Sequence, residues 1–146
     1  MWDDPRLHAA EIPAANGICD ARSLAGLYAA CIGDVDAPGG EPFRVLSPKQ
    51  LDRALQQETE GPDAMLFGLE IHWGLGFMLN RGVLAQAKMG GPRGFGHFGL
   101  GGSFGWADPD LELAVGYVMN KLSLGMTGDP RGFRLVRECV EAARAR

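Results

Sequence analysis

Apolar positions fall into helical spacing twice in the first third of the chain and once at its end, with short strand-like runs between. From Asp20 to Cys31, Leu24, Leu27, Tyr28 and Cys31 recur at i, i+3, i+4 and i+7, one face of a helix. Asp20 is its N-cap and Gly33 its stop. Residues 1–18, with Pro5, Pro13, Asn16 and Gly17, read as an irregular lead-in, and Asp34 to Pro42 as a polar loop. A second helix opens at Ser47-Pro48-Lys49-Gln50. Ser47 caps it, Pro48 suits the first helical position, and Gln50 completes a capping box. Leu51, Ala54 and Leu55 supply its apolar face, and Gly61-Pro62 breaks the chain.

From Met65 onward glycine recurs among short runs of β-formers. Met65 to Trp73 and Gly74 to Leu79 are expected as strands. A loop, Gly90-Gly91-Pro92-Arg93-Gly94, follows. One strand is then expected from Gly96 through Ala107 and another from Leu111 to Asn120, joined at Asp108-Pro109-Asp110, whose residues suit a tight reversal. The last helix opens at Asp129-Pro130 and carries a stripe of Phe133, Val136, Val140 and Ala143. The order helix, helix, strands, helix predicts an α+β fold, an antiparallel sheet flanked by helices.

The 146 residues, 46% of them hydrophobic, suffice for one domain with a real core. A net charge of −4 argues against nucleic-acid partners and anionic membranes. The five arginines between Arg131 and Arg146 alternate with apolar residues and read as the solvated face of the last helix. Three cysteines, Cys19, Cys31 and Cys139, match no metal or redox spacing. Cys31 and Cys139 are expected as buried free thiols, which favours a reducing compartment. The start, Met1 to Pro5, has no basic region followed by an apolar one, and no apolar run approaches a bilayer's thickness. A cytoplasmic protein without a membrane span is expected.

Three local patterns carry candidate chemistry. Gly94-Phe95-Gly96-His97-Phe98-Gly99 has the spacing of a dinucleotide loop, but that loop must open a helix, and here the glycines enter a strand. Gly101-Gly102-Ser103-Phe104-Gly105 has the form of a nucleophile elbow. His8, His72 and His97 all precede Ser103, so the expected triad order fails and Ser103 reads as a strand serine. Glu70 and His72 would share one face of a strand, with no further ligand spaced nearby for a metal. No cofactor or metal is expected.

A longer pattern says more. The run from Gly96-His97-Phe98-Gly99-Leu100 through Trp106-Ala107-Asp108-Pro109, followed by Leu113 to Asn120, resembles the C-terminal motif region of β-lactamase-related esterases of the penicillin-binding-protein superfamily. There an H-x-G triplet stands where penicillin-binding proteins carry K-T-G. Asn16-Gly17 with Ala21 to Tyr28 resembles a family helix after the substrate-cleft loops. Trp73-Gly74-Leu75-Gly76-Phe77 resembles the strand entering the H-x-G region. The likeness runs in order over roughly residues 12–145.

The resemblance implies the C-terminal part of a β-lactamase/transpeptidase-like fold, with residues 1–146 a single partial domain. It implies hydrolysis of a small-molecule ester or amide through a serine acyl-enzyme. His97 would line the carbonyl or carboxylate side of the cleft. Gly99 would let substrate approach the backbone, and the Leu100 amide would be the nearest oxyanion donor. The family's S-x-x-K and Y-x-N are not found: no lysine stands three residues after Ser23, Ser47, Ser103 or Ser123, and Tyr28 and Tyr117 are followed two later by Ala30 and Met119. In the family these motifs precede the matched region. The chain is therefore expected to be truncated on its N-terminal side and catalytically silent alone. Phe133 and Val136 would then lie partly uncovered, inviting self-association or pairing with the N-terminal segment. The alternatives are a small enzyme using Ser103 or Cys31, and a non-catalytic binding or partner module derived from this fold.

Overall fold

The computed structural model describes residues 3–15, 17–36, 39–125 and 128–146. Met1, Trp2, Asn16 and residues 37–38 of the polar loop, all named above, lie outside the described residues. The elements, in order, are α1 (Pro5–His8), α2 (Ala21–Ile32), β1 (Val35–Asp36), β2 (Pro42–Phe43), α3 (Pro48–Ala54), β3 (Met78–Leu79), α4 (Gly82–Gln86), β4 (Phe95–Phe98), β5 (Phe104–Asp108), β6 (Leu113–Tyr117) and α5 (Pro130–Arg144). The helix starts follow the capping chemistry. The Asp20 carboxylate accepts the Ser23 N–H at 2.7 Å, Ser47 and Gln50 form the reciprocal box, and the Asp129 carboxylate accepts the Arg131 N–H at 2.7 Å.

Strands β3, β4, β5 and β6 form one antiparallel sheet in that order. The register pairs His97 with Gly105, Phe98 with Phe104, and Gly105 in turn with Gly116. Because side chains alternate across a strand, this register sorts residues between two cores. Phe98, Phe104, Trp106 and Val115 face α5 and pack with Val136 and Val140. Phe95 and Ala107 face the other way and pack with Tyr28 and Cys31 of α2 and Leu51 of α3. The Trp106 indole N–H is satisfied by the Met89 carbonyl at 2.7 Å, so the ring is fully buried without an orphan donor.

Several expected boundaries differ. Met65 to Trp73 is not a strand. The Asp63 carboxylate accepts the amides of Met65 and Leu66, an Asx-type turn that folds the chain back until Asp63 N–H reaches the Leu69 carbonyl at 2.9 Å. Gly74 to Leu79 is mostly a tight reversal, closed by the bridge of Trp73 to Met78. The strand expected over Gly96 to Ala107 is two strands, reversed at residues 99–103, where Gly101 and Gly102 adopt φ of +89° and +116°. Only glycine enters that region without strain. The polar loop contains the short β1–β2 ladder, and the lead-in contains the single turn α1.

The face of α5 expected to lie partly uncovered is covered at Val136 and only in part at Phe133. Val136 is 0% exposed, and Phe133, half-buried, packs on Phe98 with ring centres 5.0 Å apart. The sheet's own face covers this helix. Leu135 of the same helix is among the large exposed apolar side chains, with Ile18, Leu27, Met65, Phe67 and Leu124 elsewhere. All five C-terminal arginines are exposed, as their spacing implied. Cys31 is buried and Cys139 half-buried, while Cys19 is exposed; all three are free thiols. Among the described residues no helix is long and apolar enough to cross a membrane.

Helix α2 touches the sheet where β5 and β6 carry glycine. A methyl on Gly105 would overlap ring carbons of Tyr28, and one on Gly116 would overlap the Ala21 carbonyl oxygen. The second obstacle is helix backbone and cannot rotate away. Gly116→Ala is therefore expected to lower unfolding free energy by about 1–3 kcal/mol or more, with Gly26→Ala, at an open position, as the control. Urea melts of both variants check this; equal midpoints would contradict it.

Candidate functional site

The α2-facing side of the sheet is packed at Phe95 and Ala107 but opens beyond Tyr28. His97 and Gly99 stand there on one strand side, with Ser103 and Gly105 across from them. They border a hollow of about 480 Å³, walled further by Tyr28, Cys19 and Val118. A second hollow of about 390 Å³ shares Gly99 and Ser103 and is bounded by Leu100, Leu122 and Pro13. Each falls within the size range of small-molecule sites. Of the residues singled out in the sequence, His97 thus borders the first hollow, Leu100 the second, and Gly99 both.

His97 is exposed, and its Nδ1 lies 2.8 Å from the Phe98 carbonyl. The Trp73 ring stands beside it, centre to centre 5.3 Å. The reversal between β4 and β5 is tied by Gly99 N–H to the Ser103 carbonyl at 2.7 Å and Gly102 N–H to the Gly99 carbonyl at 3.1 Å. It is tied from outside as well. Gly101 donates to the Gly125 carbonyl at 3.0 Å and accepts from the Ser123 N–H at 2.8 Å and the Ser123 hydroxyl at 3.1 Å. Within this net the Leu100 N–H has no hydrogen-bond partner among the described residues.

Asp129 closes the back of the reversal. It is 3% exposed and packs against Gly102, where an added Cβ would lie 2.8 Å from its own. Its carboxylate receives the Arg131 backbone N–H and the Arg131 guanidinium at 2.6–3.0 Å. The Arg131 side chain, more than any other group, holds the Asp129 carboxyl well below the usual carboxylate range. Tyr28 is moved the opposite way: burial raises its phenol to about 12, so it stays protonated in neutral solution.

The other candidates do not assemble into sites. The residue after Ser103 enters β5 rather than a helix, so the strand–turn–helix context of an elbow is absent. Burial raises the Cys31 thiol, which makes it a poor nucleophile. The glycines of residues 94–99 lead into β4, with no helix end to hold a pyrophosphate. Glu70 and His72 pair at 3.6 Å, and among the described residues no group of three or more His, Cys, Asp or Glu could hold a metal. Sequence reasoning missed Asp63 and saw Asp129 only as a cap. Their partners Trp73 and Gly102 are ten and twenty-seven residues away, beyond any local pattern.

A meander of antiparallel strands between two helical layers, with an H-x-G triplet at the cleft edge, is the architecture of serine β-lactamase-related hydrolases. The chain belongs to the β-lactamase family, whose pattern it matches over residues 1–136. It is 39% identical over 147 residues to Esterase/beta-lactamase LipL of Mycobacterium tuberculosis (strain ATCC 25618 / H37Rv), covering 94% of this chain and 31% of that protein. Among solved structures it is similar to a family VIII carboxylesterase, with 35% identity and a TM-score of 0.80 over 97% of this chain and 36% of that one. It is also similar to a penicillin-binding protein homolog from Caulobacter crescentus, with 34% identity and a TM-score of 0.82 over 96% and 36%. The chain spans about a third of the length of each of these relatives.

The Asp129 contact carries a pH signature. A carboxyl held below its ordinary range in the folded state stabilises the fold fully above about pH 4, and this contribution is lost as pH falls toward the native value. The stability gap between wild type and Asp129→Asn is therefore expected to narrow as pH drops below about 4. Denaturant melts at pH 7 and pH 3 measure it; a gap independent of pH would contradict the assignment.

Proposed function

We propose that this chain forms one wall of the acyl-transfer cleft of a serine hydrolase of the β-lactamase-related esterase type, acting on small-molecule esters or amides. The observation that carries the reading is the Leu100 N–H, unpartnered among the described residues, on a reversal pinned from behind, beside a hollow that shares Gly99 and Ser103 with the one His97 lines. An amide donor that already lacks a partner, held by a rigid net, needs no rearrangement to meet a developing oxyanion. Gly99, without a side chain, leaves room for a carbonyl group to approach the strand. His97 borders the adjoining hollow and bears on the substrate's carbonyl or carboxylate side.

On this reading residues 1–146 are a single partial domain, and the nucleophile and its lysine come from sequence outside them. A serine hydroxyl attacks the carbonyl carbon, the carbonyl oxygen becomes an oxyanion, and the alcohol or amine leaves to give an acyl-enzyme that water then hydrolyses. The chain alone generates no nucleophile, so it is expected to hydrolyse neither a chromogenic β-lactam nor a nitrophenyl ester. Saturable turnover abolished by Ser103→Ala would overturn this and favour the elbow.

The positive test is reassembly with a nucleophile-bearing segment of the family, covalently or as a second chain. A fluorophosphonate label should then appear by mass spectrometry on a serine of that segment and not on Ser103. His97→Ala in the reassembled protein should slow labelling by about tenfold or more while leaving the fold intact. An unchanged rate would remove His97 from the site. A stable complex that never labels would favour a non-catalytic partner module.

A further inference from the structure

We propose that Asp63 is a positioning residue for His97, acting through Trp73, and that together they fix which imidazole nitrogen faces the cleft. The Asp63 carboxylate divides its two oxygens. Oδ1 accepts the amides of Met65 and Leu66 at 2.8 and 3.0 Å, which anchors the carboxylate to its own turn. Oδ2 accepts the Trp73 indole N–H at 2.8 Å. That hydrogen bond is the main reason the Asp63 carboxyl sits below the ordinary carboxylate range. The turn itself is closed by Asp63 N–H to the Leu69 carbonyl and Gly68 N–H to the Asp63 carbonyl, both at 2.9 Å. It includes Phe67 at φ +57°, in the left-handed region, within the turn that these hydrogen bonds close. The indole is therefore held by a preformed anchor, and its ring lies against His97 at 5.3 Å with an interplanar angle of 46°.

His97 needs such a wall. Its ring is exposed, and the terminal torsion of a histidine is broad and roughly two-fold. A half-turn would put a carbon where Nδ1 now stands. As the ring lies, Nδ1 is 2.8 Å from the Phe98 carbonyl. A carbonyl oxygen only accepts, so the neutral ring carries its proton on Nδ1. Nε2 then keeps its lone pair, and no described residue engages it. His97 thus offers the cleft a hydrogen-bond acceptor for an O–H or N–H group of a ligand. Trp73 blocks one side of the rotation that would exchange the two edges, and Asp63 keeps Trp73 in place.

The use of that acceptor rests on the reading of the cleft given above; the geometry is tested without it. The chain is labelled with ¹⁵N-histidine, and long-range ¹H–¹⁵N correlations are recorded at pH 8.5, where imidazole is neutral. His97 is assigned through His97→Gln. Wild type is expected to hold the Nδ1–H tautomer of His97 in a ratio to Nε2–H roughly fivefold above that of free histidine, the shift one ordinary net hydrogen bond gives. Asp63→Asn keeps one oxygen for the turn and sets an NH₂ group against the indole N–H. It should cut that ratio by about threefold or more and shift the Trp73 indole resonance, with the Met65 and Leu66 amides unmoved. Trp73→Phe, which deletes the indole N–H, should cut the ratio likewise, and it carries the test if Asp63→Asn disturbs the turn amides. The proposal is overturned if the wild-type ratio is no higher than that of free histidine, or if the His97 populations stay unchanged in both variants. Failure of acylation in the reassembled protein, with these populations as expected, would overturn the functional reading and leave the positioning intact.

Discussion

Helix α2 lies so close to the sheet that β5 and β6 carry glycine where they meet it. At Gly105 the Tyr28 ring occupies the space a side chain would take, and at Gly116 the helix backbone does. This close approach fixes the height of α2 above the sheet, and the open ground beyond Tyr28 follows from it. Phe95 and Ala107 are sealed beneath the helical layer, while His97, Gly99 and Ser103, two and four residues along on the same face, are left at its margin. The cleft therefore begins where the close approach that these two glycines allow comes to an end.

The opposite face does the complementary work. Phe98, Phe104 and Trp106 meet in tilted ring contacts within the sheet, and Phe98 carries the contact on to Phe133 of α5, all 5.0–5.8 Å centre to centre. The N-terminus of α5 then reaches the reversal between these strands, where Asp129 fills the space beside Gly102 and Ser123 grips Gly101. One wall of the reversal is thus backbone hydrogen bonding and the other a buried carboxylate held by Arg131. Strand pairing places His97, while helix capping places Leu100. Two independent constraints converge on neighbouring residues.

Much of this was legible in the chain, and the rest was not for identifiable reasons. The three long helices announced themselves because Asp20, Ser47 and Asp129 sit one residue before their starts, where capping is a local transaction. The reversal at Gly101-Gly102 was hidden inside a run of β-formers, since its glycines also suited a strand of a crowded sheet. Met65 to Trp73 looked like a strand because apolar residues abound there, yet Asp63 turns it with one carboxylate. The Phe133 and Val136 face was expected to be partly uncovered because partner strands from outside the chain were assumed. The chain's own sheet covers Val136 fully and leaves Phe133 half-buried. His97, Gly99 and Leu100 came from the family likeness, and periodicity alone would have left them as an ordinary strand.

The central claim is that the pinned reversal presents the Leu100 amide to a reacting carbonyl. A crystal structure of the reassembled protein carrying a phosphonate adduct tests it most directly. The account predicts one phosphonyl oxygen within about 2.7–3.1 Å of the Leu100 nitrogen, the range of an oxyanion-hole donor, with Gly99 beneath the adduct. An adduct whose oxygens all meet other donors, leaving the Leu100 N–H to solvent, would contradict it.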